Sequence, residues 1–270
     1  MTMAGAPRGL TAVVAALPEE VRALRPHLSG VETLRLPTLA ATLGHVGGRP
    51  VAIVVTGDGD RNARAATAEV LGHLPVGRLL ITGVAGALSP ELAPGALLMA
   101  DEVQSVAGAR LAAPRALVRW AARTAGALRG VVLTARAIAD TPAEKAALGA
   151  RHAGGGPAIV DLESMACAEV AAGAGVPWLV LRAVSDTAAE ALPALLERCR
   201  DDGGAIRRGR VVRALLRQPR ALPPLLALRR RVEVCARALA PALRALLDAW
   251  PALDEGVPGP RTWNREELHE

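Results

Sequence analysis

The sequence contains no phenylalanine and no tyrosine, and its only aromatic side chains are four tryptophans. Any surface that stacks on a planar ligand must therefore be built from aliphatic groups or Trp. Set beside abundant Ala, Arg, Gly and Pro, this absence reads as a compositional bias of the source genome. Cysteine is scarce too. Cys167, Cys199 and Cys235 are odd in number, far apart and without CxxC spacing, which argues against a disulfide framework or a zinc knuckle and for reduced, buried thiols. His27, His45, His73, His152 and His269 fall in no HExxH or related pattern, so no metal is expected and each is assigned a surface or capping place. No apolar run reaches the roughly 18 residues of a membrane span. LTAVVAAL after Arg8 has the texture of a signal-peptide core, but Pro18, Glu19 and Glu20 follow at once. It reads as the first strand of a cytoplasmic protein.

What is present suits one sizeable core: 270 residues, 51% apolar and 21% charged, fit a single α/β domain with an appendage. Strand patterns fall at 11–16, 38–43, 51–55, 79–82, 96–100, 130–134, 157–162 and 178–183, with helical patterns between them. Thr141, Pro142 and Glu144 form an N-cap, a first-position proline and the acid of a capping box, so a helix starts there. Near residue 200 the texture changes. From Arg200 to Arg244 there are twelve arginines against three acids, interleaved with leucines. Pro219, Pro223 and Pro224 divide this stretch into at least two helices, the last spaced through Val232, Ala236, Leu239, Leu243 and Leu246. The expected division is an α/β domain over 1–200, a basic Leu/Arg-rich helical extension over 201–250, and a polar, Pro- and Gly-rich tail over 251–270.

The stretch from Ile159 to Asp186 carries most of the information. AIVDLE reads as a short strand on which Asp161 and Glu163 share a face. SMACAEVAAGAG reads as an Ala-rich helix closed by Gly173 and Gly175, and VPWLVLRAVSD as a strand covered on both faces. A strand, helix, strand unit implies parallel strands, with acids at the carboxyl ends where open α/β sheets bind ligands.

Four segments, in order, resemble the nucleoside phosphorylase and nucleosidase superfamily: VVAALPEEVRAL, VVTGDGDRNARAA, LLITGVAGALSPELAPGALLMADEV and VDLESMACAEVAAGAGVPWLVLRAVSD. The resemblance covers about residues 10–190 and implies a mostly parallel central mixed sheet with flanking helices, plus the C-terminal helical appendage. It also implies cleavage of a purine N-glycosidic bond, in which the ribose gains oxocarbenium character and the base leaves more easily when protonated. Asp186, with Ser185 beside it, then stands at the position of the acid that protonates N7; taken without the resemblance it would equally cap a helix beginning at Thr187. Glu163 takes the place of the acceptor for the ribose hydroxyls, against a reading as a solvated strand-end acid. Asp161 stands where the nucleosidases commonly have Glu. Glu20 corresponds to the acid that orients an attacking water, although the helix macrodipole also favours an acid there. Gly57, Gly59 and Arg61 form a loop that could hold an anion; Asn62 breaks a GxGxxG pattern. Val84 replaces a family serine, Ala96 replaces an acid, and Ile138 falls at the aromatic purine-stacking position.

These departures leave water or inorganic phosphate open as nucleophile, with phosphate the one co-substrate and no other cofactor implied. The basic extension and the VDLES variant resemble the hopanoid-associated phosphorylases, which implies adenosylhopane as substrate, with futalosine or methylthioadenosine hydrolysis, or a non-catalytic nucleoside-binding protein, as alternatives. Arginines would attract anionic headgroups while leucines enter the interface of the inner membrane face; the alternative is that the leucines pack on the sheet domain. A pI of about 10.6 suits polyanions, but with the positive charge clustered in the extension and no binding motif beside it, no nucleic acid is expected. The family resemblance implies a homo-oligomer.

Overall fold

The computed structural model describes residues 9–151, 156–193 and 222–250. The tail over 251–270 and the first part of the basic extension lie outside these residues. Ten strands form one sheet: β1 (Leu10–Ala15), β2 (Ser29–Arg35), β3 (Ala40–Val46), β4 (Arg49–Val55), β5 (Val76–Ala87), β6 (Leu97–Ser105), β7 (Arg110–Ala112), β8 (Leu128–Thr134), β9 (Ala158–Asp161) and β10 (Trp178–Asp186). Among the described residues the α-helices are α1 (Pro18–Arg22), α2 (Asp60–His73), α3 (Arg115–Ala125), α4 (Pro142–Gly149), α5 (Ser164–Gly173) and α6 (Leu222–Ala249). The architecture is the expected α/β one, a mixed sheet with flanking helices and a C-terminal helix.

β4, β1, β5 and β10 pair in parallel, and their apolar side chains make the centre of the core. Beyond β4 the sheet continues antiparallel through β3 to β2. On the other side it closes on itself: β10 pairs β6, β6 pairs β8, β8 pairs β9, and β9 returns to β5. Strand β10 is buried at every position, as a strand covered on both faces should be.

The expected parallel relation of β9 and β10 is not found. β9 runs antiparallel to β5 while β10 runs parallel to it, and the two never pair. Gly86 of β5 is the register partner of both Val160 and Asp186, so the two strands approach from opposite sides of one position. A side chain at Gly86 would press on the Asp186 carboxylate and Val160. Glu163 is also not a strand residue: the strand ends at Asp161, and Glu163 is the residue preceding α5.

Two strands carried no sequence signal. β2 is exposed along almost its whole length, so no alternation marks it, and β7 has three residues. The capping box at Thr141 is present, with Glu144 N donating to Thr141 Oγ1 and Thr141 N donating to Glu144. Helix α6 runs through Pro223 and Pro224, which its first turn tolerates. Its second half packs on the core through Cys235, Leu239, Ala242, Leu243, Leu246 and Leu247, joined by Trp250 just beyond its end. Each leucine so buried contributes about 1.5–3 kcal/mol. The tryptophan closes the helix against Trp120, with ring centroids 6.1 Å apart, and against Arg78 at 6.0 Å; Arg49 donates to its carbonyl at 2.7 Å.

Among the described residues no helix is long and apolar enough to cross a membrane, and no group of three or more His, Cys, Asp or Glu could hold a metal ion. Cys167 and Cys235 are free and buried, as expected, and burial pushes the Cys167 thiol up to about 12. His27, His45 and His73 are exposed, while Cys199, His152 and His269 lie outside the described residues.

Candidate active site

The ends of β1, β5, β9 and β10 surround a cavity of about 190 Å³. It is lined by Glu20, Val84, Ile138, Asp161, Glu163, Ser185 and Asp186 among others, with Leu192, Leu228 and Val232 on its apolar side. Seven positions singled out in the sequence therefore meet in one space, although they come from five regions of the chain.

At the base of the site lies Arg182, whose side chain is 1% exposed. Its guanidinium bonds Asp161 Oδ2 at 2.6 Å, lies 3.7 Å from Glu163 Oε2, and donates to Ser164 Oγ at 3.0 Å and to the Thr82 carbonyl at 3.1 Å. An arginine suits this place because its planar fork serves several acceptors at once. Asp161 is fully engaged. Oδ1 accepts from Thr134 Oγ1 at 2.8 Å, Oδ2 meets Arg182, and the Ser164 amide donates to the same carboxylate at 3.2 Å. Glu163 is freer: Oε1 accepts from the Gly59 amide at 2.9 Å, leaving Oε2 with capacity toward the cavity. Burial is the main influence on Glu163, opposed by Arg182 and reinforced by Asp161, and its carboxyl is raised to about 7.

Glu20, 2% exposed, accepts from the Val84 amide at 2.8 Å through Oε1 and from the Leu17 amide at 2.9 Å through Oε2. Burial raises its carboxyl above the usual range, with Arg182 acting against it. Gly83 has a positive φ, and a side chain there would overlap both Glu20 and Arg182. At the other wall, Asp186 Oδ1 lies 2.5 Å from Ser185 Oγ and Oδ2 lies 2.5 Å from Lys145 Nζ. No described helix begins at Thr187, so Asp186 does not cap one there.

The model of the phosphorylase superfamily matches residues 11–217. This chain belongs to that superfamily. Among curated superfamily relatives, the futalosine hydrolase of Streptomyces coelicolor is 34% identical over 158 residues, 50% of this chain and 66% of that protein. The 5′-methylthioadenosine/S-adenosylhomocysteine nucleosidase of Geobacillus kaustophilus is 28% identical over 203 residues, 66% of this chain and 85% of the other. In three dimensions the chain is similar to the nucleosidase of that name from Neisseria meningitidis, solved with methylthio-immucillin-A (TM-score 0.70, 20% identity, 89% of this chain and 99% of that one). It is similar also to the futalosine hydrolase of Helicobacter pylori (TM-score 0.70, 18% identity, 89% and 97%). These relatives are nucleosidases, and the superfamily is one of enzymes.

Within the superfamily frame, the glycine loop is the part that the structure places differently from an anion cradle. The Gly57 amide donates to the Ala16 carbonyl at 3.1 Å and the Gly59 amide to Glu163. Arg61 is exposed and does not line the cavity. One residue at the site, Lys145, went unmarked among the sequence candidates, and Arg182 had no role assigned to it. Arg182 lies in the middle of a buried strand, where an arginine is rarely fully enclosed without partners. Lys145 lies on α4, where a helical lysine ordinarily faces water. A signal existed, since all but one of the thirty-two Lys and Arg residues are arginine and Lys145 is the exception.

Proposed function

We propose that this chain hydrolyses the N-glycosidic bond of an adenine nucleoside. The observation that carries this reading is the placement of Glu20, Glu163 and Asp186 around one cavity in the environments the reaction needs. Glu163 offers Oε2 to the ribose hydroxyls, held in place by Gly59 and Arg182. Asp186 gives a proton to the departing base. Glu20, made a stronger base by burial, orients a water and takes a proton from it as the oxygen attacks the anomeric carbon. Asp161 holds Arg182 and, through it, Glu163. Ile138 and Val84 supply apolar contact to the substrate.

Water is favoured over phosphate by charge. The cavity is lined by five carboxyl-bearing residues, Glu20, Asp58, Asp161, Glu163 and Asp186, and the buried Arg182 guanidinium is already committed to Asp161 and Glu163. With Gly57 and Gly59 also engaged, an incoming phosphate finds few donors. The names of the curated relatives, both hydrolytic, point the same way.

For the 5′ substituent, a large apolar group such as the hopane of adenosylhopane is supported by the apolar side of the cavity. Leu228 and Val232 of α6 line it, and the same helix exposes Leu222 and Leu226 beside the exposed Arg229 and Arg230, a combination suited to an anionic lipid surface. Incubation with adenosine, methylthioadenosine and an adenosylated lipid, with and without phosphate, tests these statements. Free adenine and free sugar in phosphate-free buffer are expected, fastest with the lipid in vesicles. A strict phosphate requirement would overturn the hydrolytic reading, and preference for methylthioadenosine would overturn the lipid one.

A further inference from the structure

Lys145 is buried completely, and its ammonium has three protons to place. All three have acceptors: Asp186 Oδ2 at 2.5 Å, the Thr187 carbonyl at 2.8 Å and the Glu190 carbonyl at 2.8 Å. An ammonium cannot accept a hydrogen bond, so Oδ2, facing it, is a poor seat for a proton. The other oxygen differs. Oδ1 faces Ser185 Oγ at 2.5 Å, and Ser185 Oγ lies 3.2 Å from the Ala85 carbonyl. A hydroxyl has one proton and two lone pairs. When Asp186 is ionised Ser185 can donate to Oδ1; when Asp186 carries a proton on Oδ1 it can donate to Ser185, which turns its own proton to Ala85. Both protonation states are satisfied without any heavy atom moving.

We infer that Lys145 is a positioning residue for base departure, clamping Oδ2 of Asp186 so that the transferable proton resides on Oδ1 beside Ser185. The inference rests on the proposed glycosidic cleavage. In the step, the C–N bond breaks with its electron pair going to the base, the base takes the Oδ1 proton, and Asp186 is left as a carboxylate. The water's oxygen bonds to the anomeric carbon and its proton passes to Glu20; exchange with solvent resets both acids. The ammonium holds a carboxylate more strongly than a carboxylic acid, so the clamp tightens as the proton leaves, which is the differential binding that raises kcat. It also ties the segment from Thr187 to Glu190 to α4, fixing the wall on which Asp186 stands.

The test compares wild type, Lys145→Ala and Lys145→Met with an adenine nucleoside, with and without propylammonium, which replaces the atoms that Ala removes. The expected result is a kcat lowered about 10²-fold or more, within the range of general acid catalysis, with KM changed less than about threefold. Propylammonium should restore Lys145→Ala saturably but not Lys145→Met, whose side chain fills the space. If Lys145→Ala does not fold, the split between kcat and KM in Lys145→Met decides alone. A rise in KM with kcat unchanged, a kcat within twofold of wild type, or no rescue of folded Lys145→Ala would overturn the inference. Absence of adenine release by the wild-type chain would instead overturn the proposed function.

Discussion

The backbone amide of Gly59 donates a hydrogen bond of 2.9 Å to Glu163 Oε1, across 104 residues of sequence. Gly59 adopts φ 89° and ψ 158°, a region open essentially to glycine alone. The residue thus has two reasons to be glycine: the backbone turn and the aim of its N–H. Gly59→Ala is expected to cost about 1–3 kcal/mol of stability and, by moving the amide, to raise KM for ribosides more than for 2′-deoxyribosides. Thermal unfolding and steady-state kinetics on the same sample check both parts; an unchanged ratio of the two KM values would separate Gly59 from the work of Glu163.

Glu163 gives a pH signature. Its carboxyl is raised to about 7 in the fold from the ordinary 4.5, so the folded chain holds a proton there that the unfolded chain has already lost. Stability from this group is complete below about pH 4.5 and falls as pH rises toward 7, by up to about 1.4 kcal/mol per pH unit. Denaturant unfolding of wild type and Glu163→Gln at pH 5.5 and 7.5 should show a larger loss in wild type. If Glu163 accepts from the ribose hydroxyls as proposed, binding of ribosides should strengthen over the same interval in wild type only.

Among the described residues Arg182 is the one buried cation facing Asp161 and Glu163. Arg182→Met leaves these carboxylates without it and is expected to destabilise the fold by about 3–5 kcal/mol near neutral pH. Because Arg182 opposes the rise of the Glu163 carboxyl, and a protonated Glu163 no longer needs a compensating charge, the deficit should shrink as pH is lowered toward 5. A deficit independent of pH would mean that packing, not charge, is what Arg182 contributes.

How much of this was legible in the sequence depended on whether the signal was local. Asp161, Glu163 and Asp186 were legible as cavity-lining positions because Asp161 and Asp186 end strands and Glu163 follows β9 by two residues, inside one contiguous segment. The capping box at Thr141 and the burial of β10 were written in adjacent residues as well. The reversal of β9 was not, because it depends on the ring closing through β5, β10, β6 and β8, a relation among distant strands that local periodicity does not encode. β2 escaped because exposure on nearly every residue removes the alternation that marks a strand. Lys145 escaped because a charge on a helix ordinarily faces water, and the partner that buries it lies 41 residues away. The glycine loop was misleading for a related reason: its amides were free in the sequence but in the fold meet Ala16 and Glu163.

The two halves of α6 should respond differently to substitution. Leu243 and Trp250 are fully enclosed, the tryptophan by Trp120, Arg78 and Arg49, so truncation leaves a cavity that the closed sheet cannot easily fill. Leu243→Ala is expected to cost about 2–5 kcal/mol and Trp250→Ala about 3–5 kcal/mol. Leu226 is 46% exposed, and Leu226→Ala should fall within about 0.5 kcal/mol of wild type. If the apolar face at the start of α6 serves a lipid-linked substrate, Leu226→Glu should leave hydrolysis of a soluble adenine nucleoside intact and slow turnover of an adenosylated lipid in anionic vesicles. Equal rates on both substrates would show that this face touches no lipid, while the stability costs at Leu243 and Trp250 would stand, because they follow from packing alone.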